Sequence, residues 1–156
     1  MASTITATTA TVKITETLNL NNKDRGSSVT ASIASIGELV REIKTVGTGG
    51  NTVMQFGTKG AGIMSSSDVK YIRITNLDDT NHVDITCSDH ITAGSSGHLF
   101  TIKLTAGQTF MLAGCAFNAE DDGDADNMLA SGDTIANISA KADTASVDLE
   151  LFIMSA

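Results

Sequence analysis

The sequence predicts an all-β protein, a single-domain β-sandwich or jelly roll of about eight or nine strands. Apolar and polar residues alternate with a period of two along most of the chain, as they do in strands that bury one face. Trp and Pro are absent, and aromatic residues make up 4% of the chain, so Val, Ile, Leu and Ala must build the core. The length of 156 residues fits one domain.

The predicted strands follow one another along the chain. Residues 12–20 alternate, but Glu16 falls on the apolar side of the run, which predicts a face that is only partly buried. The polar segments 78–81 and 105–108 lie between alternating runs and predict hairpin loops, and residues 142–145 join the last two strands. The other alternating runs are residues 71–77, 82–88, 99–104, 109–114, 134–142 and 146–156.

Residues 32–46 fit two kinds of secondary structure. Residues 39–46 alternate as a strand does, whereas a helix face is suggested by the spacing of Ile33, Ile36, Leu39, Val40 and Ile43. Gly37 interrupts both patterns. We favour a strand because the neighbouring segments are strands, and we expect at most one short helix, near residues 33–43.

The first residues of the sequence have no core pattern. Residues 1–11, which begin MASTITATTA, are small and mostly polar, and they predict an extended N-terminal arm ahead of a β-sandwich domain at residues 12–156. The same residues lack the basic and apolar regions of a signal peptide.

The charge of the chain argues against two classes of partner. The net charge is −8 and the pI is about 4.6. Phosphate backbones and anionic lipids are bound mainly by Lys and Arg, so we expect no nucleic-acid partner and no membrane partner. No apolar run approaches the roughly 20 residues that a membrane-spanning helix needs.

An acidic loop is the one candidate metal site in the sequence. In a twelve-residue calcium loop, oxygen ligands at positions 1, 3, 5 and 12 correspond here to Asp122, Asp124, Asp126 and Asp133. Asn127 at position 6 tolerates the positive φ that the turn requires. Asp133 is one methylene shorter than the usual Glu, however, and the flanking segments are not helical. A solvated acidic loop is therefore the favoured interpretation, with calcium as the alternative.

Other reactive side chains give no pattern for catalysis. His82, His90 and His98 recur every eight residues, but no local periodicity brings them together, so we expect surface histidines and no zinc site. Cys87 falls on the inward side of a strand, where a thiol is usually inert, and Cys115 forms no C-x-x-C pair. No nucleophile elbow or phosphate-binding glycine motif is present. We therefore expect that the protein is not an enzyme.

Four stretches carry a resemblance to a known group of proteins. They are ITETLNLNNKDRG, DVKYIRITNLDDTNHVDIT, FTIKLTAGQTFML and ISAKADTASVDLELFIMSA. They resemble small structural proteins of tailed bacteriophages, notably marine ones, that serve as capsid decoration (cement) or accessory proteins. The resemblance covers most of residues 12–156, and it is weakest over residues 115–133.

The resemblance implies a β-sandwich in the virion, on the capsid surface, made in the host cytoplasm and without catalytic residues. It also implies a homo-oligomer, with a trimer expected, and contacts with the major capsid protein or other virion proteins. We expect the arm to contact a sister subunit or the shell by strand addition. The alternative function is a carbohydrate-binding or fibre and tail adhesion module for host attachment, against which the scarcity of aromatic residues counts.

Overall fold

The structure is a computed structural model that describes residues 6–57, 64–88, 99–113 and 135–156. Regular secondary structure in these ranges is β-strand, apart from one turn of 3-10 helix at Ser66–Asp68. The strands are β1 (Thr8–Glu16), β2 (Asn19–Leu20), β3 (Lys23–Asp24), β4 (Ser27–Ile36), β5 (Glu38–Val46), β6 (Asn51–Gln55), β7 (Val69–Asn76), β8 (Val83–Ser88), β9 (Leu99–Leu104), β10 (Thr109–Ala113), β11 (Asn137–Ala142) and β12 (Val147–Ser155).

Eight of these strands form two four-stranded antiparallel sheets. The β12 sheet has the order β10-β7-β12-β5, and the β8 sheet has the order β6-β11-β8-β9. The remaining strands form two two-stranded pairs, β1 with β4 and β2 with β3. The prediction of an all-β protein is confirmed, and the arrangement is compatible with a β-sandwich.

The core lies between the two sheets. Alternate residues of β7, β8, β11 and β12 are buried, which gives the period of two seen in the sequence. Full burial of each large apolar side chain stabilises the fold by about 1.5–3 kcal/mol. Side chains of both sheets meet in one cluster that includes Val46, Val53, Ile72, Ile74, Val83, Ile85, Cys87, Leu104, Ile138, Val147, Leu149, Leu151 and Ile153.

The connections between strands differ from the prediction. Residues 78–81 were expected to close a hairpin, but they lead from β7 in the β12 sheet to β8 in the β8 sheet. Residues 105–108 lead from β9 in the β8 sheet back to β10 in the β12 sheet. Residues 142–145 also lead from the β8 sheet to the β12 sheet, from β11 to β12. The two hairpin predictions are therefore wrong. Alternation shows which face of a strand is buried, and it is the same whether the next strand lies beside it or in the facing sheet.

A buried asparagine holds two of these connections together. Asn76, at the end of β7, is fully buried. Its side-chain Nδ2 donates to the carbonyl oxygens of Asn81 at 2.9 Å, Leu104 at 3.2 Å and Thr105 at 3.3 Å. Its Oδ1 accepts from the backbone N–H of Asp78 at 3.0 Å. One amide side chain thus satisfies polar backbone groups from both connections.

The carboxylate of Asp78 organises the β7–β8 connection further. The backbone N–H groups of Asn81 and Thr80 donate to its Oδ1 at 2.5 Å and 2.8 Å. These two bonds, with that of Asn81 the stronger, hold the pKa of Asp78 below its ordinary value of 3.8. The stabilisation that they supply is complete above pH 3.8 and is lost as the pH falls through the lower pKa of the folded state.

The Asp78→Asn variant should therefore lose less of its stability in acid than the wild type does. Between about pH 5 and about pH 2, the free energy of unfolding of the wild type should fall more steeply, because its unfolded chain takes up the proton first. Denaturant titration at each pH measures this difference. Asp79→Asn is the control, since the Asp79 carboxylate accepts a hydrogen bond from the Thr80 hydroxyl. Equal pH slopes for wild type and Asp78→Asn would contradict the prediction.

The strands β1 and β4, with β2 and β3 at their far end, form a projecting two-stranded ribbon, which we call the ribbon (Thr8–Ile36). Asn21 and Asn22 have φ of 51° and 59°, as the two central residues of a type I′ turn require. Gly26 is needed nearby, because a Cβ at this position would overlap the carbonyl oxygen of Glu16. Of the apolar residues in the run 12–20, Val12 is half-buried and Ile14, Leu18 and Leu20 are exposed, so this face is buried even less than predicted.

A β-bulge explains the ambiguous spacing in residues 32–46. Between the pairs Thr8–Ile36 and Ala10–Ile33, two residues of β4 face one residue of β1. One of the two, Ser35, has a φ of 62°. The extra residue shifts the strand phase by one, so Ile33 and Ile36, three apart, are both buried. The preference for a strand over a helix is confirmed, and Gly37 separates β4 from β5.

The boundary predicted between residues 11 and 12 falls inside β1. This strand begins at Thr8 and pairs with β4 of the same chain, and Ala10 already packs against a buried cluster. Residues 8–11 are thus part of the ribbon. An extended arm ahead of them stays a prediction, and residues 1–5 lie outside the described residues.

Candidate interaction surface

The outer face of the β12 sheet, which points away from the core, carries the most distinctive group of polar side chains. Glu150 on β12 accepts from Arg73 Nη2 at 2.8 Å and from Arg41 Nη2 at 3.0 Å. The strand order explains this arrangement, because β12 lies between β7 and β5. Arg41 on β5 and Arg73 on β7 both pair with Phe152, which is two residues from Glu150 on the same face of β12. Glu150 is thus shared between two cations and is mostly shielded, with a side-chain exposure of 15%.

Aromatic side chains extend this group towards the ribbon. The guanidinium carbon of Arg73 lies 5.4 Å from the ring centroid of Phe152, within the range of a cation–π interaction. The ring of Tyr71 meets that of Phe152 edge-on, with centroids 6.0 Å apart. Burial raises the pKa of Tyr71, and the nearby charge of Arg73 partly offsets this rise. Tyr71 is the only tyrosine in the chain.

The base of the ribbon packs on this end of the outer face. A second apolar cluster, separate from the core, joins Ile33 and Ile36 of the ribbon to Tyr71 and Met154 of the sheet. Beside it, β1 and the sheet leave an open groove of about 370 Å³. The groove is lined by Ala10, Thr11, Val12, Lys13, Tyr71, Arg73, Phe152 and Met154.

Apolar side chains remain exposed on both sides of this contact. On the ribbon, Ile14 is 38% exposed and Val29 is 60% exposed. On β5 of the outer face, Leu39 is 55% exposed and Ile43 is 63% exposed. Arg, Tyr and Phe are enriched at protein–protein interfaces, and here they lie beside exposed aliphatic side chains. The outer face and the ribbon together therefore form the candidate interaction surface.

A second open cleft, of about 480 Å³, lies between the edge strands β5 and β6. Its charged groups are already engaged, because Lys44 Nζ lies 3.1 Å from Glu42 Oε1 and donates to the Val53 carbonyl oxygen at 2.7 Å. The two charged side chains that line this cleft are therefore engaged with each other.

The sequence-predicted metal site falls outside the described residues. This holds for all four carboxylates of the acidic loop, Asp122, Asp124, Asp126 and Asp133, so calcium binding there stays a prediction. Within the described ranges, no group of three or more His, Cys, Asp and Glu side chains is placed to hold a metal ion.

The structure describes some of the other reactive residues. His82 lies ahead of β8, with its Nδ1 3.4 Å from Asp143 Oδ2, whereas His90 and His98 are outside the described residues. Cys87 is buried in the core as predicted, and this burial raises its pKa to about 11, so the thiolate is strongly disfavoured. Cys115 also lies outside the described ranges.

Sequence reasoning did not find the outer-face group. Arg41 and Glu150 are 109 residues apart, and nothing local in the sequence pairs them. The available signal was the outward phase of the alternating runs, since Arg73, Glu150 and Phe152 all lie between core positions of their strands. Without the strand order, that phase could not show that these side chains come together.

Comparison with known proteins gives no relative for this chain, because no protein family, no curated protein and no solved structure matches it. In the part of the chain that the structure describes, no helix is both long enough and apolar enough to cross a membrane.

Proposed function

We propose that this chain is a non-enzymatic structural protein of a bacteriophage virion, which decorates or cements the capsid by bridging neighbouring shell subunits. Its partners are then the major capsid protein or other virion proteins and further copies of itself, with a trimer expected. The place of action is the outer capsid surface. The resemblance of the four sequence stretches supplies the class of protein, and the ribbon is the observation that carries the bridging mechanism.

The strand order supports a jelly roll as the body of such a protein. From β5 to β12, described connections alternate between the two sheets, and each sheet contains strands that are distant in sequence. Such an arrangement supports a double-sheet jelly roll, an architecture found in viral capsid proteins. The body is a rigid support whose loops and outer faces are available for contacts.

The ribbon supplies what bridging requires in addition to a rigid body. It leaves the two-sheet body at Gly37 and carries exposed apolar side chains, including Leu18 at 52% and Leu20 at 56% exposure, away from the core. Such a projection can reach a neighbouring molecule. A ligand that binds only the assembled shell stabilises it by mass action, by about 2.7 kcal/mol per site at a concentration one hundred times its Kd.

The test is to locate the protein and then measure its effect. Immunogold electron microscopy of virions with an antibody to this chain should label the capsid surface at regular positions. Purified protein, added to empty shells of the corresponding major capsid protein, should sediment with them to a fixed stoichiometry and raise their melting temperature. Label confined to the tail, together with binding to a glycan array and none to shells, would instead support the adhesion function.

A further inference from the structure

One face of the ribbon is buried at its base and exposed further out. Successive Cα partners two residues apart lie on the same side of an antiparallel pair. On the side that includes the buried Ile33, these partners are Ala10 with Ile33, Val12 with Ala31, and Ile14 with Val29. The first pair packs against the outer face of the β12 sheet, whereas the last is exposed. We call Ile14 and Val29 the distal face.

The distal face lacks a cover within the described residues. Two-stranded ribbons are marginally stable in water unless one face packs on something else. The base of the ribbon meets this requirement on Tyr71 and Met154, but the distal pair continues the same apolar face into solvent. An apolar face that continues an existing packed contact is a surface suited to a partner.

A matching surface lies on β5 of the same chain. This strand is an edge of the β12 sheet, nine residues long, and no described strand pairs with its free side. Leu39 and Ile43, which we call the β5 patch, point outward and are exposed. A long edge strand with exposed apolar residues readily associates with another chain unless it is protected.

Charge favours a second copy as the partner. The ribbon contains three basic and two acidic residues, a net charge of +1, while the rest of the chain contains seven basic and sixteen acidic residues, a net charge of −9. Two bodies alone would repel each other. A ribbon that reaches onto a neighbouring body instead brings a segment of net positive charge, with Lys23 and Arg25 near its far end, to an acidic molecule.

From these observations we infer that the distal face of the ribbon packs on the β5 patch of a second copy of this chain. Two different surfaces meet, so the contact is heterologous, and repetition about a rotation axis closes a ring of copies. The inference rests on the proposed function for the expectation of an oligomer. Its test uses the free protein in solution, so its failure is distinct from a failure to bind shells.

Charged substitutions test each surface separately. Ile14→Asp with Val29→Asp in one chain, and Ile43→Asp in another, should each weaken self-association at least about a hundredfold, because a buried contact then contains unpaired charge. Sedimentation velocity over a range of concentrations measures this change. Thr15→Asp with Ser28→Asp is the matched control, since this pair adds the same charge to the opposite face of the same strands.

Mixing the two interface variants identifies the contact as heterologous. The Ile43→Asp chain keeps an intact ribbon, and the Ile14→Asp, Val29→Asp chain keeps an intact β5 patch. Together they should form a one-to-one heterodimer, although neither variant associates alone. Native mass spectrometry distinguishes this dimer because the two chains differ in mass.

Several results would overturn the inference. These are a monomeric wild-type protein, unchanged association in either interface variant, equal loss in the Thr15→Asp, Ser28→Asp control, or no heterodimer in the mixture. If the ribbon variant does not fold, the Ile43→Asp variant alone decides the test, and unchanged association of that variant overturns the inference.

Discussion

Replacing Asn76 with Ala should lower the free energy of unfolding by about 2–4 kcal/mol. The change removes the side chain that donates to the carbonyl oxygens of Asn81, Leu104 and Thr105 and accepts from the Asp78 amide. These backbone groups lie at a buried position where water does not readily replace the lost partner. Equilibrium unfolding in denaturant measures the loss.

Two further variants define the origin of this effect. Asn76→Asp keeps the shape of the side chain but directs a carboxylate oxygen at carbonyl oxygens, so it should destabilise at least as much as Ala. Asn81→Ala, which loses one hydrogen bond of 3.3 Å to Asp78, should cost less than about 1 kcal/mol. If Asn76→Ala costs no more than Asn81→Ala, the two connections are held by something other than this amide.

Replacing Ile33 with Ala should release the ribbon without unfolding the two sheets. Ile33 is buried in the small cluster with Tyr71 and Met154, and truncation of a buried Ile costs about 2–5 kcal/mol. The other ribbon side chains in this cluster are Ile36, Ala10 and Val12, so Ile33 is one of the two large buried apolar groups that hold the ribbon on the sheet. Hydrogen exchange should show faster exchange in β1 and β4 and unchanged protection in β7 and β12.

The control for this prediction lies on the same strand. Thr30→Ala changes an exposed residue of β4 that points to the opposite side, so it should alter exchange very little. A uniform increase in exchange across both sheets after Ile33→Ala would show that the ribbon and the two-sheet body unfold as one cooperative unit.

Much of the local structure could be predicted because it depends on short-range pattern. The alternation in residues 82–88 predicted that Cys87 points into the core, and the structure buries it together with Val83 and Ile85 of β8. The position of Glu16 in the run 12–20 predicted limited burial of that face, and in the structure Ile14, Leu18 and Leu20 are exposed. The helix-like spacing of Ile33 and Ile36 is caused by the β-bulge, which adds one residue to the strand β4.

The rest depends on contacts between distant parts of the chain. A polar segment such as 105–108 looks the same in a hairpin as in a connection between sheets, and only the facing sheet decides which one forms. The shared ion pairs of Glu150 follow from β12 lying between β7 and β5, which no local pattern encodes. The acidic loop at residues 122–133 stays a prediction for a different reason, since it lies outside the described residues.

The position of β12 in its sheet also affects how the chain matures during synthesis. This strand follows the other described strands in sequence, yet it lies inside the β12 sheet and pairs with both β5 and β7. During translation, β5 and β7 each lack the strand that pairs with both of them until residues 147–155 have been synthesised. Prematurely terminated chains therefore cannot close this sheet, and only chains translated through β12 should escape proteolysis.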